Sequence, residues 1–255
     1  MRFSIISAIF AVAALGPAQG FAQDPRQIME ESQKRGRVAS ETYEGLLQVT
    51  DTGGKASEKR WIFQRLGSSG NSKAILRFTA PAEVKGVAIL MVNHTDRSAD
   101  QWMWTPAIGR ERRIALQDRS TRFFGTDFTF EDLEERDVDQ FDYKMLGEDV
   151  IDGAKSWRIE STPRKTKSSQ YSVLQVWIRQ DNYVTARISG FSKDQEVRRL
   201  NYSQIENVQG IWTARLVVVS DVKRKSRTSL KLEKLQYNLP MTDGAFTVAA
   251  LERAP

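Results

Sequence analysis

The segment QWMWTPAIGRERRIALQDRSTRFFGTDFTFEDL, residues 101–133, decides how the rest of the chain is read. It begins with alternation: Trp102 and Trp104 share one face, which is the two-residue period of a β-strand. Pro106 then introduces turn chemistry, and the arginine-rich residues 110–115 predict a return strand. The segment therefore opens as an aromatic hairpin.

The second part of this segment is an aromatic flap. Its four phenylalanines are Phe123, Phe124, Phe128 and Phe130. Gly125 gives the backbone freedom for a tight bend, and Thr126 or Asp127 is placed to cap a short helix over residues 128–135. Such a flap has to lie against apolar groups. It either fills the protein's own core or borders a cavity that holds an apolar guest.

The same segment resembles the signature of the LolA-like outer-membrane lipoprotein-sorting family of bacterial envelope proteins. The resemblance rests on Trp-x-Trp-x-Pro at 102–106, Arg-Arg-Ile at 112–114, Asp-Arg-Ser at 118–120 and FGTDFTFEDL at 124–133. The order of features on either side fits as well, so it covers nearly all of the chain after the leader. It implies an unclosed β-barrel whose helices form a lid over an apolar cavity.

The pattern and the resemblance together predict two groups of site residues. The side chains predicted to contact a ligand in a hydrophobic cleft and flap are Trp102, Trp104, Phe123, Phe124, Phe128 and Phe130. The residues predicted to have structural roles within the family motif are Pro106, Arg113, Gly125, Asp127 and Asp132.

Residues 1–22 predict a secretory signal peptide. Arg2 gives a positive start, residues 3–16 form an apolar run too short to span a bilayer, and Gly20 and Ala22 fit a signal peptidase site. Cleavage after Ala22 leaves one predicted domain, residues 23–255. The chain has no cysteine, which excludes lipidation and disulfides. We expect an exported, soluble product in a Gram-negative periplasm.

After the leader, one amphipathic helix is predicted from Pro25 to about Val38, and strands follow in quick succession. The predicted strands outside the opening segment are residues 43–50, 60–66, 73–79, 86–93, 143–147, 155–162, 171–180, 183–191, 196–202, 212–222 and 228–237. Turns join these strands, so no parallel crossover is predicted. The fold class is mainly β: one strongly curved antiparallel sheet, an unclosed LolA-like barrel, with an N-terminal helix and short lid helices.

Three local patterns refine this fold. The sequence VAILMV at 87–92 is apolar on both faces, which predicts a central strand covered on both sides. A change of phase near Glu233-Lys234 predicts a β-bulge, and Asp181-Asn182 predicts a two-residue hairpin turn. The few helices cannot cover a broad concave face, which favours a partly open hydrophobic cleft.

Charge gives weaker guidance. The net charge is +6, but the basic residues are spread over strands and loops, so nucleic-acid binding is disfavoured. Two basic clusters, residues 164–167 and 223–227, fall where hairpin loops are expected. Solvated turns that deter edge-to-edge association are the favoured interpretation. Docking to an anionic membrane surface or an acidic partner is the alternative.

The sequence offers little for enzymatic chemistry. His94 is the single histidine, and a hydrogen-bonded structural role is favoured over a catalytic one. The acidic residues 127–142 lack the spacing of a calcium loop, so helix capping and pairing with nearby arginines are favoured. We therefore predict no catalytic residue, no metal site and no cofactor.

The predicted function is that of a periplasmic carrier for a lipid or for lipoprotein acyl chains, working with an inner-membrane transporter of the RND or ABC type. The alternative is an envelope protein-interaction module, a sensor or adaptor on the same fold that binds no free lipid. An apolar cavity would favour the carrier, whereas a core filled entirely by the protein's own aromatic side chains would favour the adaptor.

Overall fold

The computed structural model describes residues 23–252, so the predicted signal peptide lies outside the described residues. One α-helix, α1, spans Pro25–Arg35. The strands that follow are β1 Ser40–Thr50, β2 Ala56–Ser68, β3 Asn71–Ala80, β4 Ala88–Val92, β5 Asp100–Thr105, β6 Arg110–Arg113, β7 Phe141–Ile151, β8 Ala154–Pro163, β9 Val173–Arg179, β10 Thr185–Ser192, β11 Gln195–Val208, β12 Ile211–Asp221 and β13 Ser226–Tyr237.

In this part of the chain the strands form one 13-stranded antiparallel sheet, in the order β6-β5-β4-β3-β2-β1-β13-β12-β11-β10-β9-β8-β7. The chain starts near the middle at β1 and runs outward to one edge, β6. It then crosses to the other edge, β7, and returns to pair β13 with β1. The two edges are not paired with each other, so the barrel is unclosed. The predicted fold class is confirmed.

Local sequence signals explain the best-predicted elements. The Asp24 carboxylate accepts a hydrogen bond from the Arg26 backbone nitrogen and caps the start of α1. Gly36 caps its end, so the last helical residue is Arg35, three residues before the predicted end at about Val38. The bulge near Glu233-Lys234 is confirmed. Thr42 pairs with Gln236 but Glu44 pairs with Glu233, and Lys234 has a φ of 49°.

Strand β4 is apolar on both faces because both faces are covered. Ile89 and Met91 point into the main core on the concave side of the sheet. Leu90 lies on the convex side in a second apolar cluster with Phe246 and Leu251 from the C-terminal segment. The prediction of cover on both sides is confirmed, although β4 is third from the β6 edge rather than central.

Two local predictions are wrong. Residues 128–135 form only a short 3-10 turn at Glu131–Leu133: Thr129 and Asp132 cap it through reciprocal hydrogen bonds, but the backbone is already extended at Glu134, with a ψ of 142°. The turn at Asp181-Asn182 is longer than two residues: β9 ends at Arg179, β10 begins at Thr185, and Tyr183 has a φ of 63°. Among the described residues, no helix is long and apolar enough to cross a membrane.

Candidate functional site on the concave face

The flap, residues 119–133, folds into the concave side of the sheet and fills one half of it. Phe123, Phe128 and Phe130 are buried there. Phe123 lies 6.3 Å from Trp61 and 6.2 Å from Phe78, measured between ring centroids. This contact makes the flap part of the main core beside β2 and β3, which we call the plugged half.

Strand β1 contains the glycine that this packing requires. A Cβ added at Gly45 would lie 2.1 Å from the Trp61 indole nitrogen and 2.9 Å from a Leu230 methyl carbon. The indole can therefore lie flat across β1 and meet the flap.

Asp127 fixes the flap to the sheet. Its buried carboxylate accepts hydrogen bonds from Ser226 Oγ at 2.6 Å and from Thr228 Oγ1 at 2.8 Å, both on β13. Its backbone nitrogen donates to Thr228 Oγ1 at 2.8 Å, and Arg198 on β11 donates to its carbonyl oxygen. Gly125, with a φ of 72°, allows the bend just before this anchor.

Two further carboxylates, Asp132 in the flap and Glu134 just after it, are buried and have partners. Glu134 is bound by Arg119 at 2.6 Å and by Lys167. Asp132 accepts a 2.8 Å hydrogen bond from Tyr171 Oη. Lys167 belongs to the basic cluster predicted to be solvated, and for this residue that prediction is wrong, because its ammonium group is the ion partner of a buried carboxylate.

The other half of the concave face, between α1 and strands β7 to β13, contains two cavities. We call it the cavity half. The first cavity has a volume of about 270 Å³, and its apolar lining comes from Met29, Val138, Phe141, Leu174, Val176 and Ile188. The second has a volume of about 590 Å³, and its apolar lining comes from Tyr183, Ile211, Trp212, Val217, Leu232 and Tyr237.

The two cavities adjoin each other. The residues that line both are Ser32, Gly36, Arg65, Thr185 and Tyr202. The second cavity falls within the 300–1,000 Å³ range of small-molecule sites, and the first lies just below it. Together they provide an elongated, largely apolar space under α1.

Helix α1 covers this space and is held mainly by polar contacts. Gln33 Nε2 donates to Asp137 Oδ2 at 3.0 Å, and Gln33 Oε1 accepts from the Val138 backbone nitrogen at 2.9 Å. Ser32 Oγ donates to the Tyr183 carbonyl oxygen at 2.8 Å. Ile28 is the buried apolar anchor of the helix. Few apolar contacts hold such an element, so it can open locally at low cost.

Few free charges face this space. Arg65 binds Glu41 at 2.7 Å and Glu135 at 2.6 Å, so its charge is neutralised. Burial raises the pKa of Tyr202 above its usual range, which keeps the phenol protonated at the wall shared by both cavities. Burial likewise raises the pKa of Asp137 beneath α1.

The six predicted ligand contacts occupy other positions. Phe123, Phe128 and Phe130 are core residues of the plugged half, and Phe124 packs against them. Trp102 and Trp104 lie on the convex face, in the cluster completed by the C-terminal segment. None of the six is among the residues that line the two cavities. That they contact a ligand stays a prediction.

The two predicted motif residues outside the flap, Pro106 and Arg113, both lie in the hairpin of β5 and β6. Pro106 begins a 3-10 turn between β5 and β6. Arg113 pairs with Asp100, which also binds Arg97 at 2.7 Å. His94 Nε2 lies 3.0 Å from the same Asp100 carboxylate, which gives the single histidine a hydrogen-bonded partner.

Sequence reasoning missed the residues that line the cavities. They lie on α1, on β7 to β13 with their connecting segments, and on β2, outside the motif segment. Alternation along β9 places Leu174 and Val176 on the concave face, and this signal was available. Alternation does not distinguish a side chain that meets a cavity from one that meets the flap.

The comparisons with known proteins agree with this architecture. A family model described as "Uncharacterized protein" matches residues 70–253, and the chain belongs to that family. A search of curated proteins finds no match.

Among solved structures, a putative outer membrane lipoprotein-sorting protein domain from Vibrio parahaemolyticus superposes with a TM-score of 0.85 at 21% identity, covering 90% of this chain and 98% of that one. A DUF1329 family protein from Desulfovibrio piger gives 0.84 at 27% identity, with 89% and 97% covered. A LolA superfamily protein from Nitrosomonas europaea gives 0.70 at 19% identity, with 88% and 97% covered. The predicted resemblance is confirmed, and the fold is LolA-like.

Proposed function

We propose that the protein is a carrier of the bacterial envelope that holds a lipid, or the acyl chains of a lipoprotein, in the cavities under α1. The carrier would work in the periplasm after removal of residues 1–22. It would exchange its cargo with a membrane partner, for which an RND-type or ABC-type transporter is the expected class. The mechanism is non-covalent binding and release.

The observation that carries this proposal is the pair of adjoining cavities on the concave face, about 270 and 590 Å³. Their walls are mostly apolar, and α1 covers them through a few polar contacts. Moving an acyl chain into such a site is favourable by about 0.8 kcal/mol per methylene relative to water. A bilayer gives an acyl chain the same gain, so transfer between the membrane and the cavities is nearly balanced and the cargo can be both taken up and released.

One observation favours the protein-interaction module instead. The plugged half is filled by Trp61, Phe78 and the flap. This half of the concave face therefore has no room for a ligand. The carrier remains the better proposal because the cavity half is not filled in this way, and both of its cavities lie under α1, a helix with a single fully buried apolar side chain, Ile28.

Native mass spectrometry with lipid extraction tests the carrier directly. The protein is expressed from its full-length sequence, purified gently from the periplasm, and compared with Thr185→Trp. Thr185 lines both cavities, so an indole there should fill the space between them. We expect a lipid-mass adduct on the unmodified protein and its loss in Thr185→Trp.

Thr52→Trp is the matched control, because Thr52 is exposed in the turn between β1 and β2. It should keep the adduct, and both variants should melt cooperatively. A protein that arrives at its bare mass and takes up no lipid from a membrane extract would refute the carrier and favour the protein-interaction module.

A further inference from the structure

The first cavity contains a cationic side chain with incomplete hydrogen bonding. Arg136 lines this cavity, and its Nη2 atom is buried without a hydrogen-bond partner among the described residues. The nearest carboxylate oxygen, Asp132 Oδ1, is 4.0 Å from Nη2, too far for a hydrogen bond. A guanidinium normally uses its five donors in a fixed fork.

The carboxylate of Asp132 is already engaged with other groups. Its Oδ2 accepts hydrogen bonds from the Thr129 backbone nitrogen at 2.9 Å and from Thr129 Oγ1 at 2.8 Å. Its Oδ1 accepts from Tyr171 Oη at 2.8 Å, and Arg198 Nε lies 3.5 Å from Oδ2. Asp132 is therefore shared between two arginines, and Arg198 is the closer one.

The carboxylate of Glu135, the residue that precedes Arg136 in the sequence, is also fully engaged. One oxygen accepts from Arg65 at 2.6 Å and from the Ser69 backbone nitrogen at 2.8 Å. The other accepts from the Gly70 backbone nitrogen at 3.0 Å and from Ser72 Oγ at 2.7 Å. Neither carboxylate completes the hydrogen bonding of Arg136, and although the Tyr202 hydroxyl also lies beside this side chain, Nη2 keeps no partner among the described residues.

A second polar atom without a partner lies on the wall of the same cavity. Ser161 is 2% exposed, and its Oγ has no hydrogen-bond partner among the described residues. Ser161 lines the first cavity from β8. Two buried polar groups left unsatisfied in one small space are costly, and they are commonly completed by a bound group.

The chemistry of that group follows from these donors. A guanidinium pairs best with a carboxylate or a phosphate, which it can bind through two parallel hydrogen bonds. The remaining wall, with Leu174, Val176 and Ile188, is apolar and suits a hydrocarbon chain. We propose that the first cavity binds the anionic head group, carboxylate or phosphate, of an acyl amphiphile, with Arg136 as its ion partner and Ser161 as a hydrogen-bond donor.

This inference rests on the proposed carrier function and narrows its cargo. A neutral lipid would fill the apolar walls and leave Arg136 and Ser161 without partners. A cargo with an ionised head group would satisfy both, while its hydrocarbon chain extends toward the second cavity through the residues that line both.

The experiment measures the affinity of the full-length-expressed, delipidated protein for three probes with the same sixteen-carbon chain: hexadecanoate, hexadecyl phosphate and 1-hexadecanol. Fluorescent-probe displacement and native mass spectrometry serve as readouts. We expect at least about tenfold tighter binding of one or both anions than of the alcohol, the difference that one charge-assisted pair makes. The preferred anion identifies the head group as carboxylate or phosphate.

Variants assign that preference to residues. Arg136→Met should lose the tenfold preference and keep its affinity for 1-hexadecanol, which shows that the cavity is intact. Arg136→Lys should retain part of the preference, and Ser161→Ala should weaken anion binding by about threefold. Arg227→Met, at an exposed arginine on β13, should match the unmodified protein.

The outcomes separate the two proposals. Equal affinity for anions and alcohol, in both the unmodified protein and Arg136→Met, would refute the head-group site and leave the carrier standing. Failure of all three probes to bind the unmodified protein would refute the carrier itself, and the head-group site with it. If Arg136→Met does not fold, a full anion preference in Arg136→Gln would equally contradict the assignment to Arg136.

Discussion

The two halves of the concave face are built from similar strands but filled differently. In the plugged half, Trp61 and Phe78 meet phenylalanines that the chain itself supplies from the flap. In the cavity half, apolar side chains such as Leu174 and Val176 face empty space beneath α1. The difference shows that a strongly curved sheet of this size has more interior than its own strands can fill.

The covers of the two halves differ as well. The flap is anchored by a buried carboxylate, Asp127, that bonds to two hydroxyl groups on β13. Helix α1 is held by a bond from Gln33 to the Asp137 carboxylate, by a bond from Ser32 to a backbone carbonyl oxygen, and by the exposed ion pair of Arg26 with Asp139. The Asp127 anchor is fully buried and accepts several hydrogen bonds, whereas the ion pair on α1 is exposed and therefore contributes little. The flap is therefore a fixed plug, whereas α1 is the element suited to move.

The largest expected effect compares two phenylalanines. Phe123→Ala should lower the free energy of unfolding by about 3–5 kcal/mol, because Phe123 is surrounded by other rings in the plugged half. Phe141→Ala should cost at least about 1 kcal/mol less, since Phe141 lines the first cavity and already lacks contacts on that side. Chemical denaturation of both variants measures the difference. Equal losses would contradict the contrast between the halves.

The second prediction concerns the anchor of the flap. Asp127→Asn replaces an acceptor of two hydroxyl hydrogen bonds by a neutral amide, which should destabilise the protein by about 2 kcal/mol. Asp96→Asn is the control, because Asp96 is exposed. It should change stability by less than about 0.5 kcal/mol. A neutral result for Asp127→Asn would mean that packing alone seats the flap.

The smallest effect is expected at α1. Gln33→Ala removes two hydrogen bonds to residues 137 and 138, so amide hydrogen exchange within residues 25–35 should accelerate by about fivefold or more. Global stability should fall by no more than about 1 kcal/mol, because the core is untouched. Gln27→Ala, at an exposed position of the same helix, serves as the control. Unchanged exchange in Gln33→Ala would show that the other contacts of the helix, those of Ile28, Ser32 and Arg26, hold it without Gln33.

Much of the fold followed from local patterns. Alternation in β5 and along the later strands, the two-sided apolar sequence of β4, and the phase change at Lys234 each predict what the structure contains. The helix predicted at 128–135 ends after Leu133, because Glu134 is extended and its carboxylate is bound by Arg119 and Lys167. No local rule reveals such partners.

The sequence by itself determined the strand pattern, the family resemblance and the aromatic character of residues 101–133, since these depend on near neighbours and composition. Only the tertiary structure decided that Trp102 and Trp104 face the convex side. It alone decided that the flap fills one half of the interior, and that Arg136 meets a cavity without a full set of partners. These properties depend on which distant residues the curvature of the sheet brings together, and periodicity gives only the face of each strand.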